Sequence, residues 1–160
     1  MSESIPQSKT FLSFDNFLCF TLYSANHAMN RAYKPLLKKL GLTYPQYIVM
    51  VVLWEKDKQT VKDLGEKLFL ASNTLTPLLK RLEKIGYVTR QRDPVDERKV
   101  FIHLTQQGKE LKEKTLEIPG CIIEATGLTP KNLQYLLEQI SLLRRNLEIA
   151  VETGTISKIK

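Results

Sequence analysis

Two cysteines and three tyrosines carry the reactive side chains most open to redox chemistry. Cys19 lies in Asp15-Asn16-Phe17-Leu18-Cys19-Phe20-Thr21-Leu22-Tyr23, and Cys121 follows Pro119-Gly120 far downstream. Only a thiolate attacks peroxide oxygen. A position about one turn inside a helix favours that anion through the macrodipole. Tyr23, four residues on, shares the helical face of Cys19 and brings a phenolic donor to it. Tyr33 and Tyr44 are two further phenols, and Phe17, Leu18, Phe20 and Leu22 would give the thiol an apolar entrance. Taken singly, the same residues also read as packing. A free cysteine commonly serves as a small buried hydrophobe, and Tyr33 or Tyr44 alone fits a half-buried core aromatic. No C-x-x-C or histidine cluster is present, so neither a metal nor a cofactor is expected, and His27 and His103 read as structural.

A second set of residues suits a polyanion. Between Ser72 and Ile85 one helical face is leucine, while the other offers Ser72, Asn73, Thr74, Thr76, Lys80, Arg81 and Lys84. Small hydroxyl and amide groups at a helix start reach base edges in a major groove. Cations one or two turns later hold phosphates. Further on, Arg92 and the run Asp93-Pro94-Val95-Asp96-Glu97-Arg98 place charge on a turn. An arginine at such a tip can enter the minor groove, and Asp96, two residues earlier, can hold Arg98 in one pose. Residues 72 to 104 contain seven cations and four anions, a net +3 of the chain's +7.

These groups need elements to position them. From Phe14, apolar residues recur at helical spacing through Leu18, Leu22, Ala25, Met29, Ala32, Leu36 and Leu40; Ser13 or Asp15 can cap the start and Gly41 closes the run. Pro35 is expected to kink or split this helix. Thr43-Tyr44-Pro45-Gln46 reads as a capping box opening an apolar helix through Val49, Val52 and Leu53. Thr60-Val61-Lys62-Asp63 opens a short helix carrying Leu64 and Leu68. After a brief turn, a longer helix buries Leu75, Leu78, Leu79, Leu82 and Ile85, with Gly86 as its left-handed cap. Pro77 costs nothing if Asn73 or Thr74 is the effective cap, and otherwise removes one hydrogen bond. The period then changes to two over Tyr87–Arg92 and Lys99–Leu104, a hairpin with a charged tip. Thr105 caps a helix expected to run to about Glu117, where Pro119-Gly120 interrupts it. Thr129-Pro130 starts the last helix, with Leu133, Leu136, Leu137, Ile140, Leu143 and Leu147 on its apolar face, and the tail from Thr153 is expected to fray. The fold class is therefore mainly α with a small β-hairpin wing: a winged helix-turn-helix.

At 160 residues, 42% of them hydrophobic, the chain suits one compact domain. Its basic balance points to nucleic acid before a membrane. No apolar run approaches the roughly 20 residues of a spanning helix, and Met1 to Thr10 lacks the layout of a secretory signal. A cytoplasmic location without membrane contact follows, where a constitutive Cys19–Cys121 disulfide is not expected.

The stretch Asp93-Pro94-Val95-Asp96-Glu97-Arg98 through Leu104-Thr105 and Gly108 resembles the wing signature of the MarR family of transcriptional regulators. The resemblance extends from about Asp15 to Leu147. Three segments, Asp15 to Ala25, Arg31-Ala32-Tyr33-Lys34-Pro35-Leu36 and Leu42 to Tyr47, are similar to the OhrR subfamily, the organic hydroperoxide resistance regulators, and Cys121 to its two-cysteine branch. The resemblance implies a repressor that forms an obligate, intertwined homodimer through its first and last helices, each lobe reading half of an inverted-repeat operator on double-stranded DNA. Residues 1–12 would be a flexible arm and 13–150 a single domain. Within it, 13–42 and 106–150 would dimerise and 43–105 bind DNA, with 151–160 a tail. It implies further that organic hydroperoxide oxidises Cys19, that Tyr33 and Tyr44 of the partner subunit hydrogen-bond its sulfur, and that Cys121 of the other subunit resolves it. The protein then leaves its operator and peroxide-detoxification genes are derepressed.

Three rivals compete with this reading. One is a MarR-type regulator answering a small aromatic ligand, with inert cysteines. Another is a thiol peroxidase, against which stands the lack of a catalytic constellation beside a complete winged helix. The third, a protein-binding winged helix, is weakened by the basic wing.

Overall fold

In a computed structural model, residues 17–156 are described. The expected caps Ser13 and Asp15 and the arm 1–12 fall outside them. Helix α1 spans Leu18–Lys38 and runs unbroken past Pro35, so the expected split does not occur. Pro35 removes one backbone donor and leaves the Arg31 carbonyl without its helical partner, but the helix continues to Lys38. Gly41, at φ +69°, closes the run, and the Leu42 N–H donates to the Leu37 carbonyl at 3.2 Å. Helix α2, Tyr44–Glu55, starts from the expected box: the Thr43 N–H donates to Gln46 Oε1 at 2.8 Å, and Pro45 occupies the first turn.

A two-residue strand, β1 (Gln59–Thr60), leads directly into α3 (Val61–Leu68). Thr60 caps α3 by accepting from the Asp63 N–H, while Asp63 Oδ2 accepts from the Thr60 N–H, each at 3.1 Å. Hydrogen bonding of the Asp63 carboxylate by the Thr60 hydroxyl, and then by the Thr60 N–H, holds that carboxyl below the usual carboxylate value. Helix α4 spans Ser72–Ile85 with Ala71 at its N-cap position, which offers no capping side chain. Neither Asn73 nor Thr74 is the cap, so Pro77 lies inside α4 and the Asn73 carbonyl loses its helical donor. Gly86 ends α4 at φ +92°.

The wing has three strands rather than two. Strands β2 (Val88–Arg92) and β3 (Val100–Leu104) pair antiparallel, with Val88 opposite Leu104 and Arg92 opposite Val100. On the other side of β3, Gln59 pairs with Ile102 and Thr60 with Phe101. Buried Gln59 is held by its Nε2, which donates to the carbonyls of Val52 and Lys56. Leu37, Val49, Met50, Leu53, Leu64, Leu75, Leu79, Leu82, Val88 and Ile102 form the core. Ile85, expected inward, is exposed. It falls in the last turn of α4, just before the chain reverses at Gly86.

After Thr105 the chain departs from the expected single helix. Helix α5 covers only Gln106–Leu111, a 3-10 turn covers Glu113–Thr115, and α6 covers Ile118–Ala125. Pro119 opens α6 rather than ending a helix, consistent with the preference of proline for a first turn. Two compact units meet at this point, the first ending at Ile118 and the second starting at Pro119. In the second, α7 (Pro130–Glu152) begins at Thr129, whose hydroxyl accepts from the Asn132 N–H. None of its residues is buried. No helix among the described residues is long and apolar enough to cross a membrane.

Candidate nucleic-acid interface and thiol site

The α3–α4 pair and the wing open onto a common groove of about 940 Å³. Ser72 and Thr76 enter it from α4, Thr60 and Lys62 from the start of α3, and Arg90, Arg98 and Lys99 from the wing. Of the residues named from sequence, the groove gathers Ser72, Thr76 and Arg98. Asn73, Thr74, Lys80, Arg81, Lys84 and Arg92 are exposed outside its lining, and Asp96 is half-buried. Lys62, Arg90 and Lys99 were not singled out. Arg90 and Lys99 lie in the basic stretch but flank the turn, and Lys62 belongs to the start of the short helix α3. Arg90 is tied to α4: its N–H donates to Glu83 Oε1 at 3.2 Å and its guanidinium lies 3.9 Å from Glu83 Oε2.

The wing tip is built on two carboxylates. Asp93 Oδ1 accepts from the N–H groups of Val95 and Asp96, at 2.7 and 3.1 Å. Those donors, Val95 first, keep the Asp93 carboxyl below its ordinary value. The Lys99 N–H donates to the Asp96 carbonyl and the Asp93 N–H to the Lys99 carbonyl, closing the turn. Asp96 Oδ1 then accepts from both the backbone N–H and the Nε of Arg98, at 3.2 and 3.1 Å. Arg98 is thus oriented by two bonds while its side chain stays 91% exposed. An exposed ion pair of this kind adds little stability; its consequence is a fixed direction for a cation.

Both cysteines are free and exposed, Cys19 in the first turn of α1 and Cys121 in α6. Tyr23 is exposed and packs its ring edge-on against His27 at 4.5 Å, and no hydrogen bond joins it to Cys19 among the described residues. Tyr33 and Tyr44 lie side by side, with ring centroids 4.6 Å apart, and Tyr47 lies 5.9 Å from Tyr33. Burial, then the neighbouring Tyr44 and Tyr47, raises the pKa of the Tyr33 phenol, so it stays a protonated donor. Fourteen residues of helix separate Cys19 from Tyr33 along α1, about 21 Å at a rise of about 1.5 Å per residue. A phenol from Tyr33 that meets a Cys19 therefore belongs to a second copy of the chain. His103 Nε2 is buried without a hydrogen-bond partner among the described residues.

A short capped helix, a polar-faced helix and a charged three-stranded wing around one groove define a winged helix-turn-helix module. The family model described as "Transcriptional regulator SarA/Rot" matches residues 31–115. The chain is 46% identical over 136 residues to the organic hydroperoxide resistance transcriptional regulator of Bacillus subtilis (strain 168), covering 85% of this chain and 92% of that one. Among solved structures it is similar to AbfR of Staphylococcus epidermidis. The reduced form bound to DNA matches with a TM-score of 0.73 at 36% identity, over 87% of this chain and 96% of the other. The disulfide form matches at 0.60 and 35% identity, over 90% and 96%. The chain belongs to the MarR/SarA family of transcriptional regulators, in its organic hydroperoxide resistance group.

Proposed function

We infer that this protein is a DNA-binding transcriptional repressor that senses organic hydroperoxides and releases its operator when oxidised. It acts as a homodimer on double-stranded DNA and is a regulator rather than an enzyme. The observation that carries the reading is the groove. A hydroxyl-bearing helix start and a pre-oriented wing arginine converge there, in a chain 46% identical to a hydroperoxide resistance regulator. Ser72, Asn73, Thr74 and Thr76 would meet base edges, Lys80, Arg81, Lys84 and Arg92 phosphates, and Arg98, steered by Asp96, the minor groove. A repressor works where the DNA is, which favours the cytoplasm.

For the sensor, Cys19 is the peroxide-reactive thiol, with Tyr23 and the partner's Tyr33 and Tyr44 as donors around it. Exposure of Cys19 in a first helical turn and the protonated phenol of Tyr33 support that role. The thiolate attacks the distal peroxide oxygen and the O–O bond breaks. Sulfur keeps that oxygen as sulfenic acid, and the alkoxide leaves and is protonated to the alcohol. The thiol of Cys121 from the other subunit then displaces water to form a disulfide, which needs alpha carbons within about 7 Å. Exposure of both thiols and the solved disulfide form of AbfR favour this route over an inert-cysteine regulator answering an aromatic ligand.

The test is a gel shift on an inverted repeat selected by the protein from random DNA. Cumene hydroperoxide should release wild type and leave Cys19→Ser bound. Release of Cys19→Ser by the peroxide would move the sensor elsewhere. On a non-reducing gel, oxidised wild type should run as a covalent dimer and Cys121→Ser should not.

A further inference from the structure

A line of aromatic rings leads away from the two tyrosines assigned to the sensor. Tyr44 packs tilted against Tyr33 at 4.6 Å, Tyr33 tilted against Tyr47 at 5.9 Å, and Tyr47 meets Trp54 edge-on at 6.1 Å. Tyr47 is buried, while Tyr33 and Trp54 are half-buried. At the far end the Trp54 Nε1–H donates to the Gly108 carbonyl at 2.8 Å, across 54 residues of sequence. Gly108 lies in α5, immediately after the wing, and packs so tightly that a Cβ there would overlap the Tyr87 carbonyl. Tyr87 opens the wing, and its hydroxyl donates to the Leu40 carbonyl at the end of α1, at 2.9 Å. Thr105 completes the joint: its hydroxyl donates to the Gly86 carbonyl and its N–H to that of Tyr87.

We propose that Trp54 is the positioning residue through which the sensor tyrosines act on the root of the wing. The proposal rests on the peroxide-sensing reading above, because Tyr33 and Tyr44 enter it as the groups that meet an oxidised sulfur. Packed rings re-seat between discrete arrangements rather than deform smoothly. A displacement of Tyr33 and Tyr44 is therefore passed to Tyr47 and on to the indole. The indole N–H holds the carbonyl of the residue against which the first wing strand is built. Arg98 and Arg90 ride on that wing, so a turn at Gly108 redirects the cations that face DNA.

The experiment uses the full-length dimer, its operator and cumene hydroperoxide. Trp54→Phe keeps a ring in the line and removes the N–H. Reduced, the variant should bind the operator as wild type does, and its Cys19 should oxidise at the wild-type rate by thiol titration. The drop in affinity on oxidation should shrink by about tenfold. Full release by Trp54→Phe, with Cys19 oxidised, overturns the proposal and leaves peroxide sensing standing. Trp54 is the sole tryptophan, so wild-type emission gives a second reading that does not depend on the variant folding. It should shift on oxidation in wild type and stay constant in Cys19→Ser; constant emission in oxidised wild type overturns the proposal. Should Cys19 of wild type stay reduced under peroxide, the sensing reading itself fails and the proposal falls with it.

Discussion

The DNA-binding lobe and the last helix are both rich in leucine, yet they use it differently. In the lobe, Leu53, Leu64, Leu75, Leu79 and Leu82 are all fully buried, together with the wing residues Val88 and Ile102. In α7, about 35 Å long at 1.5 Å per residue, Leu136, Leu137, Ile140 and Leu147 sit on one face, each at least 43% exposed. Helix α1 resembles α7, with Leu37 its only buried residue among those described. A lobe that buries its own apolar face can fold alone. A helix that leaves such a stripe in water needs a partner, since contiguous exposed apolar surface of this kind marks an interface. We propose that, within the homodimer, the lobe reads the DNA and the striped helices join the two copies.

The largest break in that contrast should come from charging α7. Ile140→Glu places a carboxylate in the middle of the stripe, and two-fold symmetry places it there twice. A buried unpaired charge costs about 4 kcal/mol, roughly a thousandfold in association. Sedimentation should show monomers, and operator binding should fall with dimerisation while the lobe's circular dichroism persists. A variant that stays dimeric would remove α7 from the interface.

Leu79→Ala tests the other side. Leu79 is fully buried, so truncation should cost about 3 kcal/mol of unfolding stability by transfer and cavity terms. The same truncation at exposed Leu137 should leave the folding of a chain held monomeric by Ile140→Glu nearly unchanged. Denaturant melts of both in that background separate the two kinds of leucine, and equal losses would erase the distinction.

How far these regions were legible in the sequence follows the same division. The α7 stripe, the Thr43 box, the helix start at Thr60 and the wing turn are local patterns, and each is present where its residues indicate. Strand β1 was missed because two residues are too few to show a period, and what makes them a strand is distant β3. The break at 112–117 was missed because a 3-10 turn keeps nearly helical spacing, so the pattern from Thr105 ran on to the first proline. In the site, Asp96 holding Arg98 is a two-residue relation that sequence can carry. The Tyr33–Tyr44–Tyr47–Trp54 line is not, because Trp54 reaches Gly108 only through tertiary packing.

Arg98→Ala sharpens the contrast within the lobe. Its side chain contributes little to folding because it is exposed, so the melt should match wild type. Operator affinity should fall about thirtyfold, with a salt dependence shallower by about one counterion per wing. Unchanged affinity would take Arg98 out of the interface.

The smallest expected effect compares the two helices of the helix-turn-helix. Thr60 caps α3 with its hydroxyl, whereas Ala71 holds the N-cap position of α4 with the right backbone, φ −66° and ψ 151°, and no acceptor. The N–H groups of Thr74 and Leu75 already donate to the Ala71 carbonyl, which leaves those of Ser72 and Asn73 at the open end of the helix. Ser72 also lines the groove, so a DNA phosphate can serve as the missing acceptor. Ala71→Ser supplies an internal one. A serine cap is worth about 1 kcal/mol, and thermal melts of the free protein should rise by about 3 °C. Operator affinity should not rise with stability, because the new hydroxyl competes with phosphate for the same donors. A variant that gains affinity in step with stability would show that the open end of α4 has no part in holding DNA.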